Sequence, residues 1–132
     1  MNLESQKVTV QKSQSELFQF LSNVENYEQL MPDNLTKFEK VNDETFSFQL
    51  KGMPEIQLEI IEKQEPDFIK LGSTNKSLDF SLDIRIEAED ANSSSAQLFF
   101  EGKFNMMMAM MVKKPLSSFI DTLSNNLKKT AG

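Results

Sequence analysis

The sequence contains neither cysteine nor histidine, and these two absences remove several kinds of chemistry. Without cysteine the chain has no disulfide, no thiolate nucleophile and no thiolate metal ligand. Without histidine it has no Ser-His or Cys-His catalytic pair, and a metal site would depend on oxygen ligands alone. We therefore assign no catalytic residue, no metal ligand and no cofactor.

Positive charge is also scarce, since 14 basic side chains stand against 20 acidic ones, for a net charge of -6. Nucleic acids and anionic bilayers would repel this average charge, so both are poor partners. No apolar run reaches the ~20 residues that span a membrane, and the first residues lack the regions of a secretory signal. We expect a cytoplasmic protein that does not insert into membranes.

The 132 residues are enough for one core and too few for two ordinary domains, which predicts a single domain over 1–132. Its clearest element runs from Leu78 to Ala88, where apolar and polar residues alternate without exception. This period of two predicts a long strand with one buried face. Ala96 to Phe104 repeats the pattern, and the serine run 93 to 95 is predicted to form a hairpin tip.

Helical patterns stand at both ends of the strand-rich part. Ser13 and Glu16 form a capping-box pattern at the start of one helix, and a second short helix includes Tyr27. An apolar arc over 116–127 predicts a long amphipathic helix near the C-terminus. Pro115 predicts a kink or a fresh helix start there, because proline removes a backbone donor.

The full order is one strand at 8–10, two short helices, six strands and one long helix. The strands are joined by hairpin-sized connections, which predict an antiparallel meander. The fold class is therefore α+β, with a curved sheet closing on the last helix.

This order resembles the helix-grip fold of the START-like and polyketide cyclase superfamily, which includes birch-pollen-allergen-like proteins. The segments that carry the resemblance are Val8-Thr9-Val10, Glu16-Leu17-Phe18-Gln19-Phe20-Leu21, Asn26-Tyr27, Leu30-Met31-Pro32, the long penultimate strand and Lys114-Pro115-Leu116. The resemblance implies a seven-stranded antiparallel sheet wrapped around the long C-terminal helix, with two short helices after strand 1. It also implies a cavity between sheet and helix for sterols, lipids, polyketides or other apolar molecules.

Apolar side chains on the inward strand faces and on the last helix are the candidate lining of such a cavity. They are Phe46, Phe48, Leu58, Ile60, Phe80, Leu82, Ile84, Leu98, Phe100, Met107, Met110, Met111 and Phe119. The alternative is that these side chains simply fill a core, which is the usual role of inward apolar residues. Tyr27 could place its phenol at the cavity mouth, or pack with its hydroxyl in water.

Met107, Met110 and Met111 lie off the apolar arc of the last helix. They could line an opening, be covered by the two short helices, or form a homodimer contact, and methionine suits each role because it is flexible. Arg85, the single arginine, shares a strand face with Asp83 and Glu87, which predicts an exterior ion pair.

We interpret the chain as a non-catalytic carrier or sensor of a small apolar molecule. The first alternative is a cyclase- or hydrolase-like enzyme of the same superfamily, for which Tyr27, Gln49 and Asn105 are the polar candidates. The second is a protein-interaction module that uses the methionine-rich segment.

Overall fold

The computed structural model describes residues 1–75 and 78–130. Within them, eight strands, two α-helices and one longer 3₁₀ helix follow one another along the chain. The elements are β1 Asn2–Glu4, β2 Val8–Val10, α1 Gln14–Ser22, the 3₁₀ helix Val24–Leu30, β3 Leu35–Asn42, β4 Thr45–Leu50, β5 Ile56–Gln64, β6 Phe68–Ser73, β7 Phe80–Ala88, β8 Ser94–Gly102 and α2 Met106–Thr130.

The strands of the described residues form one antiparallel sheet in the order β1-β8-β7-β6-β5-β4-β3, with β2 also paired to β8. The predicted meander of six strands is confirmed, and so is the strand at 8–10. The strand β1 was not predicted. It continues the line of β2 along β8, and Ser5 joins the two, because its hydroxyl accepts the Leu98 N–H at 3.0 Å.

The inner face of the sheet is apolar because apolar residues alternate with polar ones along its strands, and the register places the apolar residues of neighbouring strands side by side. Ile69 lies opposite Ile84 and Leu71 opposite Leu82, and all four side chains are buried. The predicted long strand begins at Phe80, two residues later than expected. It keeps its alternation, so the inward and outward faces are as the sequence predicted.

The helices α1 and 3₁₀ follow β2 as predicted. The capping box is confirmed, since the Ser13 hydroxyl accepts the Glu16 N–H while the Glu16 carboxylate accepts the Ser13 N–H, both at 3.1 Å. These hydrogen bonds lower the pKa of the Glu16 carboxyl. The second helix has 3₁₀ rather than α geometry and ends before Pro32, which disfavours helical backbone at Met31.

The sequence predicted a kink or a fresh helix start at Pro115. The helix α2 is continuous through Pro115, so the second of these two alternatives is wrong. Its apolar arc packs on the core through Val112, Leu116 and Leu123. Asn126 ties this helix to the end of the 3₁₀ helix, because its side-chain amide donates to the carbonyls of Leu30 and Met31 at 2.9 and 3.2 Å.

The predicted hairpin tip at serines 93 to 95 is wrong. The tip lies at 89–92 and is closed by the Glu89 N–H donating to the Ser93 carbonyl at 3.1 Å. Ser94 and Ser95 belong to β8, where they pair with β2 as well as β7. Ser94 is fully buried and its hydroxyl donates to the Lys12 carbonyl at 2.8 Å, so a polar side chain fits there.

Candidate functional site

The structure brings ten of the thirteen predicted lining residues into one buried cluster between the sheet and α2. They are Phe46, Phe48, Leu58, Ile60, Phe80, Leu82, Ile84, Leu98, Phe100 and Phe119. The strands supply nine of them through their inward positions, and α2 supplies Phe119. None is more than 7% exposed.

Four stacked aromatic rings cross this cluster from the 3₁₀ helix to α2. Tyr27 stacks on Phe46 with centroids 4.9 Å apart, and Phe46 on Phe48 at 6.0 Å. Phe48 then stacks on Phe119 at 5.2 Å. The aromatic column, Tyr27-Phe46-Phe48-Phe119, joins the sheet to both flanking helices.

The side chains fill the concave side of the sheet in this structure. None of the ten clustered residues is more than 7% exposed, so no wide opening leads into the middle of the cluster. Residues at its rim, such as Phe119, border only indentations of the surface. A ligand in this interior would have to displace side chains.

An indentation of about 250 Å³ lies at one end of this interior, between the β4–β5 turn and α2. It is lined by Pro32, Asn34, Leu50, Lys51, Gly52, Met53, Pro115, Ser118 and Phe119. Its wall includes Phe119, the last ring of the aromatic column. Gly52 makes the turn possible, since its φ of 82° is a backbone conformation that other residues rarely adopt.

Most of the lining of this indentation was missed by sequence reasoning. Leu50 ends β4, Met53 belongs to the turn that follows, and Pro115 lies in α2. No single periodic pattern joins these three residues. The available local signal was the Gly52 turn between two predicted strands. It predicts a hairpin but not which part of α2 faces it.

Met107, Met110 and Met111 lie outside the buried cluster and are 75%, 79% and 68% exposed. The expectation that they point away from the main apolar arc is confirmed. The short helices do not cover them, so that alternative is wrong. Met106 joins them at 82% exposure, which leaves an uncovered apolar surface at the start of α2.

Tyr27 is buried, and its hydroxyl donates to the Leu21 carbonyl at 2.8 Å. The expectation of a hydroxyl in water is therefore wrong. Burial raises the pKa of the Tyr27 phenol well above its ordinary value. A neutral, hydrogen-bonded phenol at this place supports the 3₁₀ helix and offers no free donor to a ligand.

The other two polar candidates also bind backbone. The Gln49 amide donates to the Met53 carbonyl at 3.1 Å, which braces the turn beside the indentation. The Asn105 side chain accepts the Met108 N–H at 2.8 Å and so caps the first turn of α2. Neither side chain belongs to the buried cluster.

On the outer face of the sheet, the predicted ion pair of Arg85 is replaced by ring contacts. Its guanidinium lies 5.2 Å from the Phe68 ring centroid and 5.8 Å from that of Phe99. Asp83 instead faces Lys70, with 3.8 Å between the charged atoms. Arg85 and Phe68 help to line a shallow outer groove of about 700 Å³, on the face away from α2.

No group of three or more acidic, cysteine or histidine side chains could hold a metal ion in 1–75 and 78–130. No helix of the same residues is long and apolar enough to cross a membrane.

Several solved structures share this architecture. No protein-family model and no curated protein matches the sequence. A START superfamily protein from Mycobacterium smegmatis superposes with a TM-score of 0.77 at 14% identity, over 98% of this chain and 96% of that one. The chain has the START-like helix-grip fold.

Two further structures share the helix-grip fold. A conserved protein from Geobacillus kaustophilus gives a TM-score of 0.74 at 10% identity, over 99% of this chain and 95% of that one. Norcoclaurine synthase from Thalictrum flavum, solved in complex with dopamine and hydroxybenzaldehyde, gives 0.69 at 12% identity, over 100% and 88%. The fold thus serves an enzyme as well as proteins whose names record no reaction.

Proposed function

We propose that this protein binds a small apolar molecule at the open end of its helix-grip, between the β4–β5 turn and α2, as a non-catalytic carrier or sensor. The observation that carries the proposal is the indentation of about 250 Å³ that leads to Phe119. Its lining combines apolar side chains with several polar groups, and small-molecule sites likewise pair apolar contacts with a few polar groups that orient the ligand.

The chemistry of the lining favours a mainly apolar ligand. Of the nine lining residues, only Lys51 is charged, and it is exposed. Leu50, Met53 and Phe119 offer apolar contacts, and methionine adapts readily to different shapes. A ligand with one weakly acidic or polar end could leave that end beside Lys51 in water.

The indentation holds only part of a typical ligand, since such sites usually measure roughly 300 to 1,000 Å³. Deeper binding requires Phe119 to leave its stack on Phe48, which costs about 0.5–1.5 kcal/mol. Burying ~300 Å² of apolar ligand surface gains about 7 kcal/mol before ordering costs. The balance permits a dissociation constant no lower than about 10 μM.

The thirteen predicted lining residues have two different roles in the proposal. The buried ones would form the deep wall after Phe119 moves, whereas the three methionines lie on the exposed surface of α2. The proposed location is the cytoplasm, and the proposed unit is a single domain.

The test begins with organic-solvent extraction of the purified protein, followed by mass spectrometry and titration with a fluorescent apolar dye. We expect an extractable apolar compound or saturable dye binding. Ser118→Trp should abolish the binding, because an indole at this exposed position fills the indentation. Failure to find or add any apolar ligand overturns the proposal.

Asn125→Trp is the matched control. Asn125 is exposed on the same side of α2, two turns beyond Ser118, and does not line the indentation. It should leave dye binding unchanged. Equal loss in both variants would mean that the dye responds to altered helix packing, which contradicts a site at the indentation.

A further inference from the structure

The start of α2 carries an apolar surface that the rest of the described chain leaves uncovered. Met106, Met107, Met110 and Met111 are each at least 68% exposed. At about 100° per residue they span an arc of about 140° on the helix, opposite the arc through Val112 and Leu116 that packs on the core. We call these four side chains the methionine face.

Two lysines adjoin the methionine face. Lys113 and Lys114 follow Met110 and Met111 by about one turn, are exposed, and form no ion pair with any described residue. No acidic residue occurs between Met106 and Ile120. This part of the helix is therefore apolar and positively charged, in a chain whose net charge is -6.

The average charge argues against contact with an anionic bilayer, but local charge decides such contact. At physiological salt the Debye length is about 8 Å, so distant carboxylates are largely screened. The nearest acidic groups to the methionine face in sequence are Glu101 and Asp121. The charged side chains next to a surface that contacts the methionine face are therefore the two lysines.

The size and shape of the methionine face favour a bilayer over a protein. It covers six residues of helix, about 9 Å in length, whereas a stable interface needs roughly 800 Å² from each partner. A convex apolar surface of this length can still sink into the boundary between headgroups and acyl chains. Lysine stems can then extend along the apolar surface and keep their charges among the headgroups.

We propose that the methionine face docks this protein on an anionic lipid surface, with Met106 to Met111 in the apolar boundary and Lys113 and Lys114 on lipid phosphates. The helix would rest on the surface without crossing it. This docking does not depend on whether the indentation binds a ligand.

Flotation with lipid vesicles tests the proposal on the full chain. One set is phosphatidylcholine alone, and the other contains roughly one quarter phosphatidylglycerol. We expect stronger binding to the anionic set, by about five-fold for each lysine. This preference should disappear at about 1 M salt, where the Debye length falls to about 3 Å. Absence of binding to both sets overturns the proposal, and equal binding to both overturns its charge component.

Paired variants separate the methionine face from general effects. Met107→Ser with Met110→Ser should weaken binding by at least about ten-fold. Lys113→Gln with Lys114→Gln should remove the preference for anionic vesicles. The controls are Ile61→Ser, which removes an exposed apolar residue of the outer sheet face, and Lys128→Gln with Lys129→Gln at the other end of α2.

The controls should bind as the parent does, and unchanged circular dichroism should show that every variant is folded. Equal losses in the controls overturn the proposal. A dimer in solution that Met110→Asp dissociates, without vesicle binding by the parent, also overturns it and assigns the face to a second copy.

Discussion

Tyr27 is the only tyrosine of a chain that has no tryptophan, so the absorbance of its phenolate can be followed without interference. Burial raises its pKa in the folded protein. The unfolded phenol titrates near ~10, so the neutral phenol stabilises the folded state fully below that pH. This contribution is lost as pH rises from about 10 toward the raised pKa of the folded state.

We predict that Tyr27→Phe lowers the free energy of unfolding by about 1–2 kcal/mol at neutral pH. The ring can still stack on Phe46, but the Leu21 carbonyl loses its buried donor. Urea unfolding followed by circular dichroism measures the loss. The parent should also lose more stability than the variant above pH ~10. Parallel pH profiles, or a phenol that titrates at its ordinary value, would contradict the buried hydrogen bond.

At this scale, the sequence was informative where both partners of an interaction are close in the chain. The Ser13–Glu16 capping box was predicted because its two residues are three apart. The ring contacts of Arg85 could not be predicted in the same way. Phe68 and Phe99 reach it across two neighbouring strands, and their register depends on the whole sheet.

At the scale of the element, Pro115 shows how tertiary packing holds α2 in a helical conformation. The ring leaves the Met111 carbonyl without its usual intrahelical donor, yet the helix continues on both sides. The core contacts of Val112 and Leu116 therefore stabilise a helix that its own backbone disfavours. Helical periodicity predicted this arc, but it could not show that packing would outweigh the proline.

We predict that Pro115→Ala raises the free energy of unfolding by about 1–3 kcal/mol, since alanine restores the missing donor. Chemical denaturation measures the change, and amide exchange should slow around Met111. Asn125→Ala is the control for helix propensity alone and should gain only about 0.5 kcal/mol. If Pro115→Ala is no more stable than the parent, the contacts of the proline ring beside the indentation outweigh the lost hydrogen bond.

Strands were the best-predicted elements because a period of two is visible without tertiary information. The start of β8 was predicted less well. Ser94 and Ser95 have the composition of a turn, but β2 lies against them and the Lys12 carbonyl accepts the Ser94 hydroxyl. A contact between residues more than 80 positions apart thus overrode local preference.

On the scale of the whole molecule, the aromatic column connects three parts of the fold. Tyr27 belongs to the 3₁₀ helix, Phe46 and Phe48 to β4, and Phe119 to α2. Contacts that join all layers make unfolding cooperative, which is usual for chains of this length. The resemblance predicted the wrapped architecture, but the sequence left open whether its inward side chains would line a cavity or fill a core.

We predict one unfolding transition for residues 1–132, the same for Tyr27 absorbance and for circular dichroism. Phe119→Leu should shift both signals together and cost about 1–3 kcal/mol, because it removes the ring that stacks on Phe48. Ser117→Ala on the same helix should shift neither by more than about 0.5 kcal/mol. Two separate transitions would show that the chain is not a single cooperative unit.

The exposed thioethers at the start of α2 also make this surface sensitive to oxidants. Peroxide reaches Met106, Met107, Met110 and Met111 readily, while Met31 is shielded in the core. Each sulfoxide adds a polar oxygen to a flexible apolar side chain, and reductases can reverse the change. Mild oxidation would therefore alter the wetting of one end of the molecule and leave its interior intact.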